Sequence, residues 1–423
     1  MIAGRGVSVP ARTASAVPDR GELGEPNRLV VLDCIRGIAA LVVVVHHCLL
    51  TQPAFSNFFF SNWCTEAGSP VEQLMFHTPM RIVWDGYEAV TLFYVLSGLV
   101  LALPWVEGRP PTYLSYAVKR ICRIYLPYCA AVGIAAMLNS TLNSYSTVPG
   151  LSLWVNDMTW THPVYLHVLL DHAFMIGHYN SVNGVIHSLI WEMRVSLLFP
   201  LLIIPIARWR MWGALWVAVA LTLLIGAIQF VYGGDGPALD LVQPGSVSGK
   251  IGRFALELQW TAYYGYFFVL GSVLANYLGV LRRLRRISWL LLAAGLLTIQ
   301  GHWSHLHAAQ EFMVAIGSAL IIMSALPHGP IHAVLSHRWL RWVGRISYSL
   351  YLVHVPLLLT AVILLHNIMP MAAILIAVPF ASLLVGWGFH EWVAEPCARL
   401  GKQLSKGVRI FSGARWSALG STR

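Results

Sequence analysis

Residues 34–50 read CIRGIAALVVVVHHCLL. A run of apolar residues suited to a membrane span is bracketed by an arginine and a pair of histidines. On an α-helix, Arg36 and His47 are separated by about 16 Å of rise and fall within about 20° of one face, while His46 points about 100° away. A charged side chain inside a span costs about 2.5–3.5 kcal/mol on insertion scales, so it faces a cavity or a partner and marks function by default. Arg36 has a local partner in Asp33, three residues earlier on the same face. Taken alone, the pair also fits an ion pair at a helix end, and His47 also fits an interfacial histidine.

The rest of the chain gives this stretch its setting. Of 423 residues, 57% are hydrophobic and 11% charged, and the mean hydropathy is +0.65. A soluble protein would carry about 25% charged residues, so the composition excludes an ordinary soluble enzyme. Runs of the length a bilayer requires fall near 30–50, 87–106, 122–140, 187–207, 211–231, 259–279, 287–301, 309–326, 346–367 and 370–392. The sequence therefore predicts an all-α polytopic membrane protein with about ten transmembrane helices. An apolar segment at 164–177 carries His167, Asp171 and His172 and reads as a re-entrant or interfacial piece.

The net charge of +10 reports orientation rather than nucleic-acid binding. With ten spans, 23 of the 28 Lys and Arg residues lie on the side of the termini and three (Arg81, Lys250 and Arg253) on the other. Basic residues concentrate on the cytosolic side, so both termini are expected in the cytosol. Residues 1–28 read as a disordered cytosolic tail without a signal peptide, 29–396 as the membrane domain, and 397–423 as a basic cytosolic tail. Six cysteines show no CxxC spacing; Cys48 and Cys64 would be on one side and able to meet.

Three further motifs place ionisable groups at or inside spans. HSLIWEMRVSLLFPLL (187–202) holds Glu192 and, facing nearly the opposite way, Arg194, so each needs a partner from another helix. KRICRIYLPY (119–128) sets Lys119, Arg120 and Arg123 at the mouth of the third span. Guanidinium forks suit phosphate, although positive-inside charge gives the same pattern. GRISYSLYLVHVPLL (344–358) puts Arg345 at the start of the ninth span, with Tyr351 and His354 as a polar patch that also fits helix packing.

Together these segments resemble the membrane-bound acyltransferase family 3, the O-acyltransferases of bacterial surface polysaccharides and some other glycans and small molecules. The resemblance runs from about Leu32 to Pro396. LDCIRGIAALVVVVHH is similar to the family's first-helix motif, an Arg and a His with ten residues between. LFYVLSGLVLALPW resembles its second-helix Phe-Phe-Val-Leu-Ser-Gly segment, and RICRIYLPY its Arg-x-x-Arg motif. HSLIWEMRVSLLFPLL stands in the place of its Trp-Ser-Leu-Ser-x-Glu segment, and VGRISYSLYLVHVPLL resembles its late Gly-x-x-Ser-Tyr-x-x-Tyr-x-x-His segment. The chain departs from the pattern at His187, Thr91, Met193-Arg194 and Glu395. A soluble hydrolase-like domain of the kind some members carry at the C-terminus is not expected in this sequence, in which 27 residues follow Pro396.

The resemblance implies a multi-pass inner (plasma) membrane O-acetyltransferase that uses cytosolic acetyl-CoA as co-substrate, with no tightly bound cofactor or metal. The acceptor would be a hydroxyl of a glycan or lipid-linked saccharide. Arg120, Arg123, Lys119 and Arg345 would hold the CoA phosphates, and Arg36 would join them at the mouth and count, with His47 and Glu192, among the catalytic residues. His47 would act as base, since a neutral imidazole suits that task near neutral pH, or would form an acyl-histidine. Glu192 would orient His47, bind the acceptor or stabilise the imidazolium. Other readings are a small-molecule (macrolide-like) acceptor and a transporter or flippase, against which the lack of internal symmetry between halves weighs. The histidines of the outer loops match no standard zinc spacing.

Overall fold

The computed structural model describes residues 25–61, 68–142, 147–157, 159–160, 162–176, 182–232, 249–301 and 307–420. Each of the ten apolar runs is helical. In chain order the helices are α1 (Glu25–Leu50), α2 (Gly86–Val106), α3 (Tyr113–Leu142), α4 (His187–Trp209), α5 (Met211–Tyr232), α6 (Gly249–Asn276), α7 (Ser288–Gln300), α8 (His307–Ala325), α9 (Arg338–Leu365) and α10 (Met371–Phe389). No strand occurs among the described residues. Seven helices in those residues are long and apolar enough to cross a membrane: α1 to α5, α9 and α10 with its continuation. The chain is an all-α polytopic membrane protein.

Several helices outrun their apolar cores. α1 begins at Glu25, inside the stretch read as tail, and α3 starts nine residues before the expected run at 122. α10 continues through a π-helical turn, His390–Ala394, into Glu395–Gly420, so the described part of the C-terminal stretch is helix. That extension docks on α3, where a Cβ on Gly401 would come within 2.8 Å of Cys122 Cβ. Residues 1–24 and Cys64, hence its pairing with Cys48, lie outside the described residues, as do 233–248.

The bundle is drawn together by backbone approach at glycines. Without a hydrophobic force between helices in lipid, small residues let them pack closely. α1 crosses α9 at Gly37 and Gly344: a Cβ on Gly37 would sit 2.7 Å from Gly344 N, and one on Gly344 would strike the Asp33 carbonyl. α2 meets α6 in the same manner at Gly98 and Gly271. α1 lies between α9 and α2, and α2 in turn packs on α4, α6 and α8. The outer helices expose broad apolar faces, as with Leu223 and Phe230 of α5, Leu290 and Leu297 of α7, and Ile376 and Phe380 of α10. Apolar surface of that extent is what acyl chains cover.

At the His47 end, two short helices, Pro53–Phe60 and Pro70–His77, form a separate small core of Phe55, Phe58, Phe76 and Trp84. The segment at 164–177 folds as the short helix Leu166–Ala173. It is pinned by the Tyr125 hydroxyl, which donates to the Ala173 carbonyl at 2.5 Å.

A Cβ at Gly344 has no room to enter, whereas Gly133 on α3 faces nothing within 4 Å. Gly344→Val is expected to lower the melting temperature in detergent, since overpacking costs about 1–3 kcal/mol. Gly133→Ala should leave it unchanged or raise it slightly. Thermal denaturation followed by size-exclusion chromatography checks both.

Candidate functional site

At one end of the bundle, four helices bring charged groups together. Arg36 pairs with Asp33 at 3.6 Å, as their spacing predicts. On α3 a π-helical turn spans Ile121–Tyr125; such turns loosen the helical ladder and are frequent at functional sites. The Tyr348 hydroxyl from α9 donates to the Ile124 carbonyl in this turn at 2.7 Å. Arg123, carried on the turn, is exposed and lies within electrostatic reach of Arg36, Arg120, Asp33 and Glu192. Arg345 is exposed as well. His390, on the π-helical turn after α10, is within reach of both Arg345 and Arg123. Lys119 borders the same helix face, against Gly401 of the α10 extension.

Arg120 and Glu192 behave differently from Arg123. Arg120 donates to the Ser196 hydroxyl at 2.7 Å and lies 3.7 Å from the Glu192 carboxylate. The Ser97 hydroxyl of α2 donates to the same carboxylate oxygen at 2.9 Å. Glu192 is thus held from two sides, by a charge-assisted hydrogen bond from α2 and an ion pair with α3. The resemblance implies that Glu192 orients His47, binds the acceptor or stabilises the imidazolium; in the structure its carboxylate accepts from Ser97 and pairs with Arg120. Of the two α3 arginines, Arg123 is the one without a hydrogen-bonded partner among the described residues.

The other end centres on His47, in the last turns of the unbroken helix α1. Its Nδ1 lies 2.9 Å from the Val43 carbonyl and 3.3 Å from Nε2 of His354 on α9. Trp154 lies against the ring, with centroids 5.4 Å apart. His47 is half-buried, whereas its neighbour His46 and its partner His354 are buried. His46 turns away, as the helical angle requires: it stacks on Trp84, and its Nδ1 sits 2.8 Å from the Trp84 carbonyl. Gly86 is what admits it, since a Cβ there would be 2.6 Å from His46 Cγ.

That wall is braced by a buried ion pair. Arg81 Nε lies 3.1 Å from Asp85 Oδ2, and Arg81 also donates to the Gln300 carbonyl at 3.1 Å. The start of α2 is thereby tied to the end of α7. Burial and the nearby Glu88 carboxyl push Asp85 well above the usual carboxylate range, against the pull of Arg81. Deeper in the bundle, Arg194 pairs with Glu257 of α6, donates to the Met175 carbonyl at 2.5 Å and stacks over Trp191. Arg194 and Glu192 therefore do find separate partners on other helices.

The structure brings Arg36, Arg120, Arg123, Glu192 and Arg345 to one end and His47 to the other. Sequence reasoning places His354 in a patch with Tyr351 and in the late motif, and misses its contact with His47. The two side chains part: Tyr351 bonds Ser188 at 2.5 Å and the Val185 carbonyl at 3.0 Å, while His354 turns to His47. A signal did exist. Gly37 precedes His47 by ten residues, and Gly344 precedes His354 by ten. Two parallel helices in contact at the glycines carry the two rings to the same height.

A model of the acyltransferase domain matches residues 29–391. The chain belongs to the acyltransferase 3 family and is a multi-pass membrane acyltransferase. No curated protein and no solved structure matches it.

Arg194 and Glu257 are half-buried, and removing one member of such a pair leaves the other charge uncompensated, at a cost larger than that of removing both. Arg194→Met is expected to destabilise the protein by on the order of 2 kcal/mol. The double variant Arg194→Met/Glu257→Met should recover most of the lost melting temperature.

Proposed function

We propose that this acyltransferase moves an acyl group, acetyl in the simplest case, from cytosolic acetyl-CoA to a hydroxyl of a cell-surface or exported glycan, from the inner (plasma) membrane. The observation that carries this reading is one unbroken helix, α1, with Arg36 among exposed arginines at one end and the half-buried His47 at the other. Their separation along the axis is about 16 Å, comparable to the reach of a pantetheine arm. The basic end faces the cytosol in this reading, in keeping with the distribution of Lys and Arg.

Arg123 and Arg345, the exposed members of the cluster, bind CoA phosphates, with Lys119 at the rim. Arg36 lines the entry beside Asp33. Arg120 and Glu192 fix the π-helical turn that carries Arg123. The thioester reaches the His47 end, where the acceptor hydroxyl arrives from outside. His47 removes the hydroxyl proton as the oxygen attacks the thioester carbonyl carbon. The C–S bond then breaks, and the CoA thiolate takes the proton back from the imidazolium. Acceptor and donor meet in a water-poor site, which limits hydrolysis of the thioester.

Two measurements test this. Cells lacking the gene should lose O-acetyl signals from NMR spectra of their envelope glycans, and a His47→Ala copy made at normal levels should fail to restore them. Restoration by His47→Ala would remove the role given to His47. Retention of every O-acetyl signal, together with labelled acetate on a small molecule, would move the acceptor to that class. Separately, Arg123→Ala and Arg345→Ala should each weaken CoA binding to the purified protein by about tenfold, as expected for loss of a charged hydrogen bond. Isothermal titration calorimetry reads this without an acceptor.

A further inference from the structure

The hydrogen bonds around His354 fix which of its nitrogens carries the proton. Its Nδ1 lies 2.9 Å from the Tyr351 carbonyl and 3.2 Å from the Leu350 carbonyl. A carbonyl only accepts, so Nδ1 is the protonated nitrogen. In a neutral ring, Nε2 then holds a lone pair, and it is this atom that faces His47 Nδ1 at 3.3 Å. His47 Nδ1 also faces a carbonyl, that of Val43 at 2.9 Å, so it too carries its proton. Both contacts agree on one arrangement: the His47 Nδ1–H is shared between the Val43 carbonyl and the His354 lone pair. His47 Nε2 is left as the unprotonated nitrogen of the half-buried ring.

We propose that His354 is the positioning residue of a His47–His354 pair, accepting from His47 Nδ1–H so that Nε2 is held unprotonated toward the acceptor hydroxyl. This rests on the reading of His47 as the base. During transfer the acceptor proton moves to His47 Nε2, the ring becomes an imidazolium with both nitrogens protonated, and the positive charge is shared with His354 through the Nδ1–H···Nε2 bond. When the thiolate leaves, Nε2 returns its proton to sulfur, and the ring recovers its starting tautomer. His354 neither gains nor loses a proton over the cycle. The part it plays is that of the orienting group behind a catalytic histidine, here supplied by a neutral ring where a carboxylate would be costly to bury.

The placement of His354 shows the same purpose. It is 1% exposed, too enclosed to meet a substrate, and its only nitrogen able to accept is turned to His47. The other titratable ring against His47 is His46, whose Nδ1 is engaged by the Trp84 carbonyl.

Three substitutions separate this role from packing. Glutamine at 354 can place a carbonyl oxygen near the former Nε2 and still accept from His47. Asparagine keeps a donor near the former Nδ1 but cannot reach His47. Phenylalanine keeps the shape and neither bond. In inverted membrane vesicles given radiolabelled acetyl-CoA, His354→Gln should transfer label within about tenfold of the parent. His354→Asn and His354→Phe should fall by about 10²–10³, a range typical of general-base catalysis, with KM for acetyl-CoA unchanged. Equal activity of the glutamine and phenylalanine variants, or parent-level transfer by His354→Asn, would overturn the proposal. If His47→Ala itself keeps transferring label, the reading of His47 fails instead. Solid-state ¹⁵N NMR of histidine-labelled protein gives a second test that needs no variant of His354. The signal lost in His47→Gln should belong to a ring protonated at Nδ1 and bare at Nε2; a ring protonated at Nε2 alone would contradict the assignment.

Discussion

The contact of Gly37 with Gly344 sets most of what matters in this protein. Because neither residue has a side chain, α1 and α9 approach until the backbone of one touches the backbone of the other. The two helices run side by side in the same direction, so positions equally distant from the glycines fall level. Ten residues on, His47 meets His354. Asp33 and Arg36 of α1 lie just before the crossing, and Arg345 of α9 directly follows Gly344. A shift of one residue in this register would rotate each ring by about 100° and break the pair. The small residues at the crossing are thus a condition of the His47–His354 contact as well as of the packing.

Electrostatics divides the arginines into two groups. Three are paired with carboxylates: Arg36 with Asp33, Arg120 with Glu192, and Arg194 with Glu257. Pairing is what makes guanidinium groups tolerable at membrane depth. Arg123 and Arg345 are exposed at the bundle end instead. In the proposed reading, these exposed guanidinium groups, backed by paired charges on the neighbouring helices, receive the phosphates of the donor. The two π-helical turns, at Ile121–Tyr125 and His390–Ala394, belong to the same end, where regular helix yields to place side chains.

Much of the fold was legible in the sequence because it depends on local composition. All ten apolar runs are helices, and Asp33 and Arg36 could be paired from their spacing alone. The ends of helices were less legible. α6 begins ten residues before its apolar run and carries Glu257, a residue whose partner Arg194 is 63 positions away. The same limit hid the partners of Glu192, which come from α2 and α3 at separations of 95 and 72 residues. Which carboxylate meets which arginine is decided by helix packing, and periodicity along one helix carries no information about it. His354 fell between these cases: its own segment suggested a patch with Tyr351, and only comparison of the two glycine-to-histidine spacings points across to His47.

The account stands on acyl-CoA entering at the arginine end and delivering its acyl group beside His47. A cryo-electron microscopy structure in lipid nanodiscs with a non-hydrolysable acetyl-CoA analogue tests that directly. The account predicts phosphate density against Arg123 and Arg345, and the acyl end of the analogue beside His47 Nε2. An analogue bound with its phosphates at the His47 end, or with its acyl end walled off from His47 by packed side chains, would contradict it.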